Sequence, residues 1–325
     1  MFHMRFDMRA PGGAAITERY RAAAEMAEYA ETRGGVAVVL SEHHASPDGY
    51  LPSPLLLAAA MAARTTRIHL AVSAVLVPFV DPVRLAEEMV VLDVMSGGRV
   101  SFTLGLGYRA EEFEHFGVDR GARGRLADEK VPVLLRARTG EPFEYGGRRI
   151  HVTPAPVTPG GPKVIWGGVT VAGARRAGRY GLDFGPAAID PDFEEAYAEG
   201  ARQSDVTPGK VVQPTPGVAS VLFVADDLDR AWEEIGPYLL HDAVTYGAWN
   251  RDADNPANGS AATTLEGLRA ERGTHQIVTV DEAVEMVRGG GRLGLHPMCG
   301  GIPPEVAWPY LRRVTDEVLP AAKPS

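Results

Sequence analysis

The 325-residue chain contains a single cysteine, Cys299, so it forms no internal disulfide and has no second thiol for a cysteine zinc cluster or redox pair. A reducing compartment follows, and the chain is read as cytoplasmic. Runs of basic residues are missing too. Lys and Arg number 33 against 42 Asp and Glu, a net charge of −9, which argues against a nucleic-acid partner and for a small neutral or apolar ligand. Long hydrophobic runs are absent: Leu55 to Ala63 and Ile68 to Val80 fall short of the ~20 residues of a spanning helix, and the second holds His69 and Pro78. No membrane span is expected. Met1 to Pro11 carries Arg5, Asp7 and Arg9 without an apolar core or a small-residue cleavage site, so it reads as a first strand and not a signal peptide. No fixed repeat of about 20 to 50 residues appears, which argues against a solenoid.

What is present is a globular composition, 45% hydrophobic and 23% charged, and eight alternations of a short apolar run with an amphipathic stretch. That rhythm, in one domain over residues 1–325, predicts a (β/α)8 TIM barrel with insertions, a fold of usually ~250 residues. The expected strands begin with Met4–Met8, Val36–Leu40, Ile68–Val77 and Val100–Leu104, continue with Val164–Trp166, Leu182–Phe184 and Val218–Val224, and end with Arg292–His296. The best-bounded helix covers 82–95, with Asp81 as N-cap, Pro82 at its first position and Gly97-Gly98 after its last turn. Helix 228–240 follows the seventh strand. A hairpin insertion is expected at about 140–162, and the polar stretch 250–273 reads as a lid or a disordered insertion.

A barrel site forms at the C-terminal ends of the strands. After strand two stand Glu42, His43 and His44. Adjacent side chains of extended backbone point to opposite sides, so one imidazole can face the pocket while the other packs behind it, with Glu42 fixing a tautomer. Two satisfied structural histidines are the alternative. After strand five, Gly167, Gly168, Val169 and Thr170 lead into a helix whose free amides and dipole can hold a phosphate, or which is simply capped there. Gly300-Gly301 offers a weaker site of the same kind. The stretch from Gly105 to Ala110 matches the dinucleotide pattern G-x-G-x-x-A only formally, because the strand and acid that must follow are missing. Spaced ligands for a catalytic metal are also missing, and no metal is expected.

Taken in order, Glu42-His43-His44, Ser53-Pro54, the block Asp81 to Arg99, Gly105-Leu106-Gly107-Tyr108, Glu112-Phe113, Gly167-Gly168 and Gly300 to Glu305 resemble the bacterial luciferase-like flavin-dependent oxidoreductases. The resemblance spans nearly the whole chain and is most specific over 36–117. It implies a flavin or deazaflavin in the barrel mouth, with the phosphate held by Gly167, Gly168, Val169 and Thr170, together with Arg125 and Tyr108. Ser73 and Ala74, joined by a cis peptide, would lie against the ring system. The family's base or hydrogen-bonding histidine carries onto His43, supported by His44 and Glu42. The reactive cysteine of light-emitting members matches Gly105 here, so bioluminescence is not implied. The activity implied is a two-component monooxygenase that uses reduced FMN and oxygen on a small organic substrate, served by a separate flavin reductase and paired as a homodimer through helices near strands two and three. Two alternatives stay open. One is a hydride-transfer enzyme using deazaflavin coenzyme F-420, whose anionic tail Arg109, Arg123, Arg125 and Arg175 could meet; the other is a flavin-binding protein without turnover.

Overall fold

The computed structural model describes residues 1–13, 15–215, 218–251 and 259–323. The chain opens with β1 (Phe2–Phe6), α1 (Ile16–Glu31), β2 (Gly35–Leu40), α2 (Pro54–Ala62), β3 (His69–Leu76), α3 (Pro82–Ser96), β4 (Val100–Gly105), α4 (Ala110–Phe116) and α5 (Arg123–Ala137). A hairpin of β5 (Phe143–Tyr145) and β6 (Arg148–Ile150) follows, then β7 (Lys163–Gly168), α6 (Val171–Tyr180), β8 (Asp183–Pro186), α7 (Phe193–Gln203) and β9 (Val221–Val224). Last come α8 (Leu228–Arg251), α9 (Leu265–Glu271), β10 (His275–Val278), α10 (Val280–Arg288), β11 (Leu293–Leu295) and α11 (Pro304–Arg313).

Local chemistry sets the clearest boundaries. The Asp81 carboxylate accepts the amides of Val83 and Arg84 at 2.9 and 3.0 Å, starting α3 where the N-cap pattern predicts. Outside the hairpin, the strands form one parallel sheet in the order β10-β9-β11-β1-β2-β3-β4-β7-β8, wrapped by helices as a barrel of the TIM type. Trp166 meets Tyr180 of α6, Phe184 meets Phe193 of α7 and Phe223 meets Tyr310 of α11, with ring centroids 5.3 to 5.5 Å apart. These residues therefore face the helices, and strand alternation turns Ile165, Gly167 and Gly185 inward. The inner face is half-buried and built of small side chains, among them Ser73 and Thr103, so the barrel axis has room beneath its mouth.

The structure departs from the expected elements in four places. Among the described residues the main sheet has nine strands, not eight: β10 adds to the outer edge of β9, a four-residue strand whose His275 and Gln276 disguise its burial. The short acidic helix α4 was not expected. β1 lies two residues early, because Met8 takes φ 61° and ends the strand before Asp7. Helix α8 runs to Arg251 instead of stopping at Leu240, since His241 and Asp242, which read as a polar helix end, bond to buried partners. The described part of the 250–273 stretch includes α9; residues 252–258 of it lie outside the described residues.

Candidate active site

Loop and helix N-termini deliver the site to the C-terminal ends of β1, β2, β4 and β7. His43, just past β2, is buried, and its Nδ1 lies 2.8 Å from Glu112 Oε1 on α4. The same oxygen accepts the His44 amide at 3.0 Å, and Arg109 binds the His44 carbonyl at 2.8 Å. Burial raises the Glu112 carboxyl, but the bonds from His43 and the His44 amide outweigh it and hold Glu112 ionised. An ionised Glu112 accepts Nδ1–H, so Nε2 of neutral His43 keeps its lone pair and has no partner among the described residues. Burial lowers the His43 pKa, with Glu112 opposing it.

Glu42 does not support His43. It pairs instead with His44, Nε2 to Oε1 at 2.9 Å, and both face a groove on the outside of the barrel; extended backbone sends neighbours to opposite sides. Sequence reasoning had Glu112 only inside a motif and gave it no role, because 69 positions separate it from His43. One consequence is measurable. Because Glu112 raises the His43 pKa, Glu112→Gln should move the acid limb of a kcat/KM pH profile, which lies below about 6.5, to still lower pH and cut the plateau ~10-fold or more. An unmoved limb would separate His43 from that limb.

An aromatic wall surrounds the imidazole. Tyr50 and Trp249 lie 4.8 and 4.7 Å from its ring centre, Tyr108 and Tyr246 at 5.7 and 6.0 Å. Tyr246 and Trp249 come from the unforeseen end of α8. Arg9, fully buried, stands 4.8 to 5.1 Å over Tyr50, Tyr246 and Trp249, and its charge is met by Asp242 at 2.7 Å, Asp48 at 3.3 Å and Asp7 at 3.7 Å. Asp242 also binds His275 at 2.8 Å. Donor atoms of Asp242, His275 and Cys299 come within 4.8 Å of one another, but both Asp242 oxygens are already taken, and burial pushes the Cys299 thiol up.

The cradle expected for a phosphate lies at the start of α6. Thr170 is the N-cap, its hydroxyl oxygen accepting the Gly173 amide at 3.1 Å, which leaves the other first-turn amides without helical partners. A Cβ on Gly168 would touch nothing nearer than 3.6 Å, so its face of the turn is open, whereas one on Gly167 would sit 2.8 Å from Thr103 Cγ2. Both glycines suit a flavin phosphate brought close to backbone. The Ser73-Ala74 peptide is cis, and Gly105 lies against it, its Cβ position 3.2 Å from the Ala74 methyl. Arg125 points to solvent and pairs with Glu129 at 2.6 Å; Arg176 of α6 is the arginine that approaches the start of α5, at Gly124. Gly300 serves packing: a Cβ there would lie 2.0 Å from the Tyr238 carbonyl of α8.

Residues 2–295 match the family model of the luciferase-like monooxygenases. The chain belongs to the luciferase-like monooxygenase family. This luciferase-like monooxygenase is 28% identical over 280 residues to 4-hydroxyprotoasukamycin monooxygenase of Streptomyces nodosus subsp. asukaensis, covering 81% of the chain and 75% of the relative. Other curated relatives are spanned over less than half of their length, 44% in one case and 46% in another. Two solved structures share its fold: the oxygenating constituent of 3,6-diketocamphane monooxygenase from the CAM plasmid of Pseudomonas putida, in complex with FMN (TM-score 0.66, 19% identity, 98% of each chain), and an F420-dependent secondary alcohol dehydrogenase (TM-score 0.63, 16% identity, 100% of each chain). The luciferase-like monooxygenase is thus an enzyme, a flavin-dependent oxidoreductase of the monooxygenase type. No helix among its described residues is long and apolar enough to cross a membrane.

Proposed function

We propose that this enzyme is the cytoplasmic oxygenase component of a two-component system, taking reduced FMN from a separate flavin reductase and placing one atom of dioxygen on a small organic substrate. The observation that carries the reading is the Glu112–His43 pair, whose Nε2, without a partner among the described residues, lies among the rings of an aromatic wall at the barrel mouth. Bound reduced flavin supplies the two electrons that let one oxygen atom enter substrate and the other leave as water. Gly167, Gly168, Val169 and Thr170 would hold its phosphate at the start of α6, and Ser73, Ala74, Gly105 and Tyr108 would flank the ring. His43 moves the proton through Nε2 while Glu112 fixes Nδ1. His44 acts one step back, through its main-chain bonds to Glu112 and Arg109, while Glu42 holds only the His44 ring. Tyr50, Tyr108, Tyr246 and Trp249 exclude water from the reacting atoms.

Coenzyme F-420 is the weaker candidate because the arginines open to its anionic tail are engaged. Arg125 is held by Glu129, Arg175 by Glu199, Arg109 by the His44 carbonyl and Arg123 by the Arg120 carbonyl. Equilibrium titration with FMN, reduced FMN and the deazaflavin coenzyme tests the reading: reduced FMN is expected to bind tightest, and selective deazaflavin binding would replace oxygen transfer by hydride transfer. Gly168→Ala, whose methyl the fold accommodates, should weaken reduced FMN ~10-fold or more; unchanged affinity would move the phosphate elsewhere.

A homodimer is part of the same reading. Between α2 and α3 runs an outer groove of about 580 Å³, edged by Leu56 at 74% exposure and by the exposed Val91, Met95 and Phe116. Light scattering should return twice 34.8 kDa; a 34.8 kDa particle would remove the dimer.

A further inference from the structure

Arg109 is the N-cap residue of α4, yet its side chain makes no cap bond there. Ser, Thr, Asp and Asn suit that position and the helix dipole opposes a cation, so the needs of α4 do not account for an arginine. Burial makes it less favourable still, since Arg109 is 5% exposed. What the side chain does instead is join three segments. Nη1 donates to the His44 carbonyl, in the loop after β2, at 2.8 Å and lies 3.5 Å from Glu112 Oε1, the oxygen that holds His43 Nδ1. The guanidinium carbon stands 4.1 Å from the centre of the Trp249 ring at the end of α8, and Trp249 in turn lies 4.7 Å from the His43 ring. A planar guanidinium can donate in its plane while its face lies on an indole, a combination that a lysine ammonium lacks.

The same cation acts on the imidazole through space. The charged groups that face His43 are Glu112 from α4, Arg109 just before it and Arg9 from the segment after β1; the rest of its surroundings are the rings of Tyr50, Tyr108, Tyr246 and Trp249. Burial lowers the His43 pKa, Glu112 raises it, and the positive charges of Arg109 and Arg9 lower it further. We propose that Arg109 is a positioning residue that latches the end of α8, through Trp249, onto the His44 main chain and the Glu112–His43 pair. The proposal rests on the oxygenase reading above for its turnover readout alone, because the latch itself is read in the free protein.

Three variants separate charge from contact. Arg109→Met removes both, Arg109→Gln keeps an N–H for the His44 carbonyl without the charge, and Arg109→Lys keeps the charge without the planar fork. Loss of the charge raises the His43 pKa, so in Arg109→Met and Arg109→Gln the acid limb of the kcat/KM profile should move to higher pH, opposite to the shift expected for Glu112→Gln. In Arg109→Met kcat should also fall ~10-fold or more as the pair loses its alignment. Arg109→Lys should keep the limb near its native place while Trp249 is released. The free protein reports both effects without flavin: NMR titration of the His43 imidazole follows the charge, and the fluorine resonance of Trp249 in fluorotryptophan-labelled protein, assigned with Trp249→Phe, follows the contact. That resonance should leave its native position in Arg109→Met and Arg109→Lys, the second of which guards against a methionine variant that does not fold. A His43 titration in Arg109→Gln that stays in place or moves down, or a native Trp249 resonance in Arg109→Lys, would overturn the latch. The expected titration and resonance changes in a protein whose native form shows no turnover with reduced FMN would sink the oxygenase reading and leave the latch standing.

Discussion

His43→Ala is expected to lower turnover ~10²- to 10⁴-fold while leaving reduced FMN affinity within a few fold. The proposed phosphate cradle belongs to β7 and α6, on other elements than the imidazole, so removing the ring should leave that anchor intact. What is lost is the proton carrier whose Nδ1 Glu112 holds at 2.8 Å. Stopped-flow reoxidation of reduced FMN with and without substrate separates the two effects, and near-native turnover in this variant would take His43 out of the mechanism. His43→Gln, which keeps a donor and acceptor but cannot shuttle a proton near neutral pH, should resemble the alanine variant if proton transfer is the role. Partial recovery would point to hydrogen bonding alone.

Arg9→Met should be the most damaging single change to stability. Arg9 is fully buried, and without its guanidinium Asp7, Asp48 and Asp242 would be left as buried carboxylates without that cation. Breaking one side of a buried ion pair costs about 3–5 kcal/mol. With an unfolding entropy of about 2.1 cal/mol/K per residue, that is a fall in melting temperature of roughly 4 to 7 °C. The same change removes the cation from the faces of Tyr50, Tyr246 and Trp249, so Trp249 emission should shift along with stability. The sign with pH also follows. Asp48 is held down to about 2 although burial raises it, by bonds from His241 and Ser46 and by the charge of Arg9. Its stabilising contribution is complete above the unfolded carboxylate range near 3.9 and is lost as pH falls toward 2. In Arg9→Met that acid-side loss should begin at higher pH, and an unchanged acid limb in calorimetry would contradict the pairing.

The expectations that hold rest on signals contained within one segment. Asp81, Pro82 and the following glycines bound α3 because capping is chemistry between residues a few positions apart. The two glycines before α6 announce the turn for the same reason, and period-two alternation turns His43 and His44 to opposite sides. The alternation of short apolar runs and helices was enough for a barrel-type α/β fold, although β10 escaped it as a four-residue strand with polar letters in a buried place.

Partner choice was beyond the sequence. Nothing near His43 indicates that Glu112 will hold it, or that Arg9 will meet Asp242 across 233 positions. Glu42, the near carboxylate, turned out to serve His44, since pleating carries it away from His43. The end of α8 misled for a related reason: His241 and Asp242 are polar in a stretch that stays helical, and their partners exist only after the barrel forms. By itself the sequence determined the elements, the barrel class and the strand ends where chemistry gathers, because these follow from local periodicity and capping. Only the tertiary structure decided which carboxylate orients the imidazole and which helix walls the mouth, because those contacts join residues that barrel formation alone brings together.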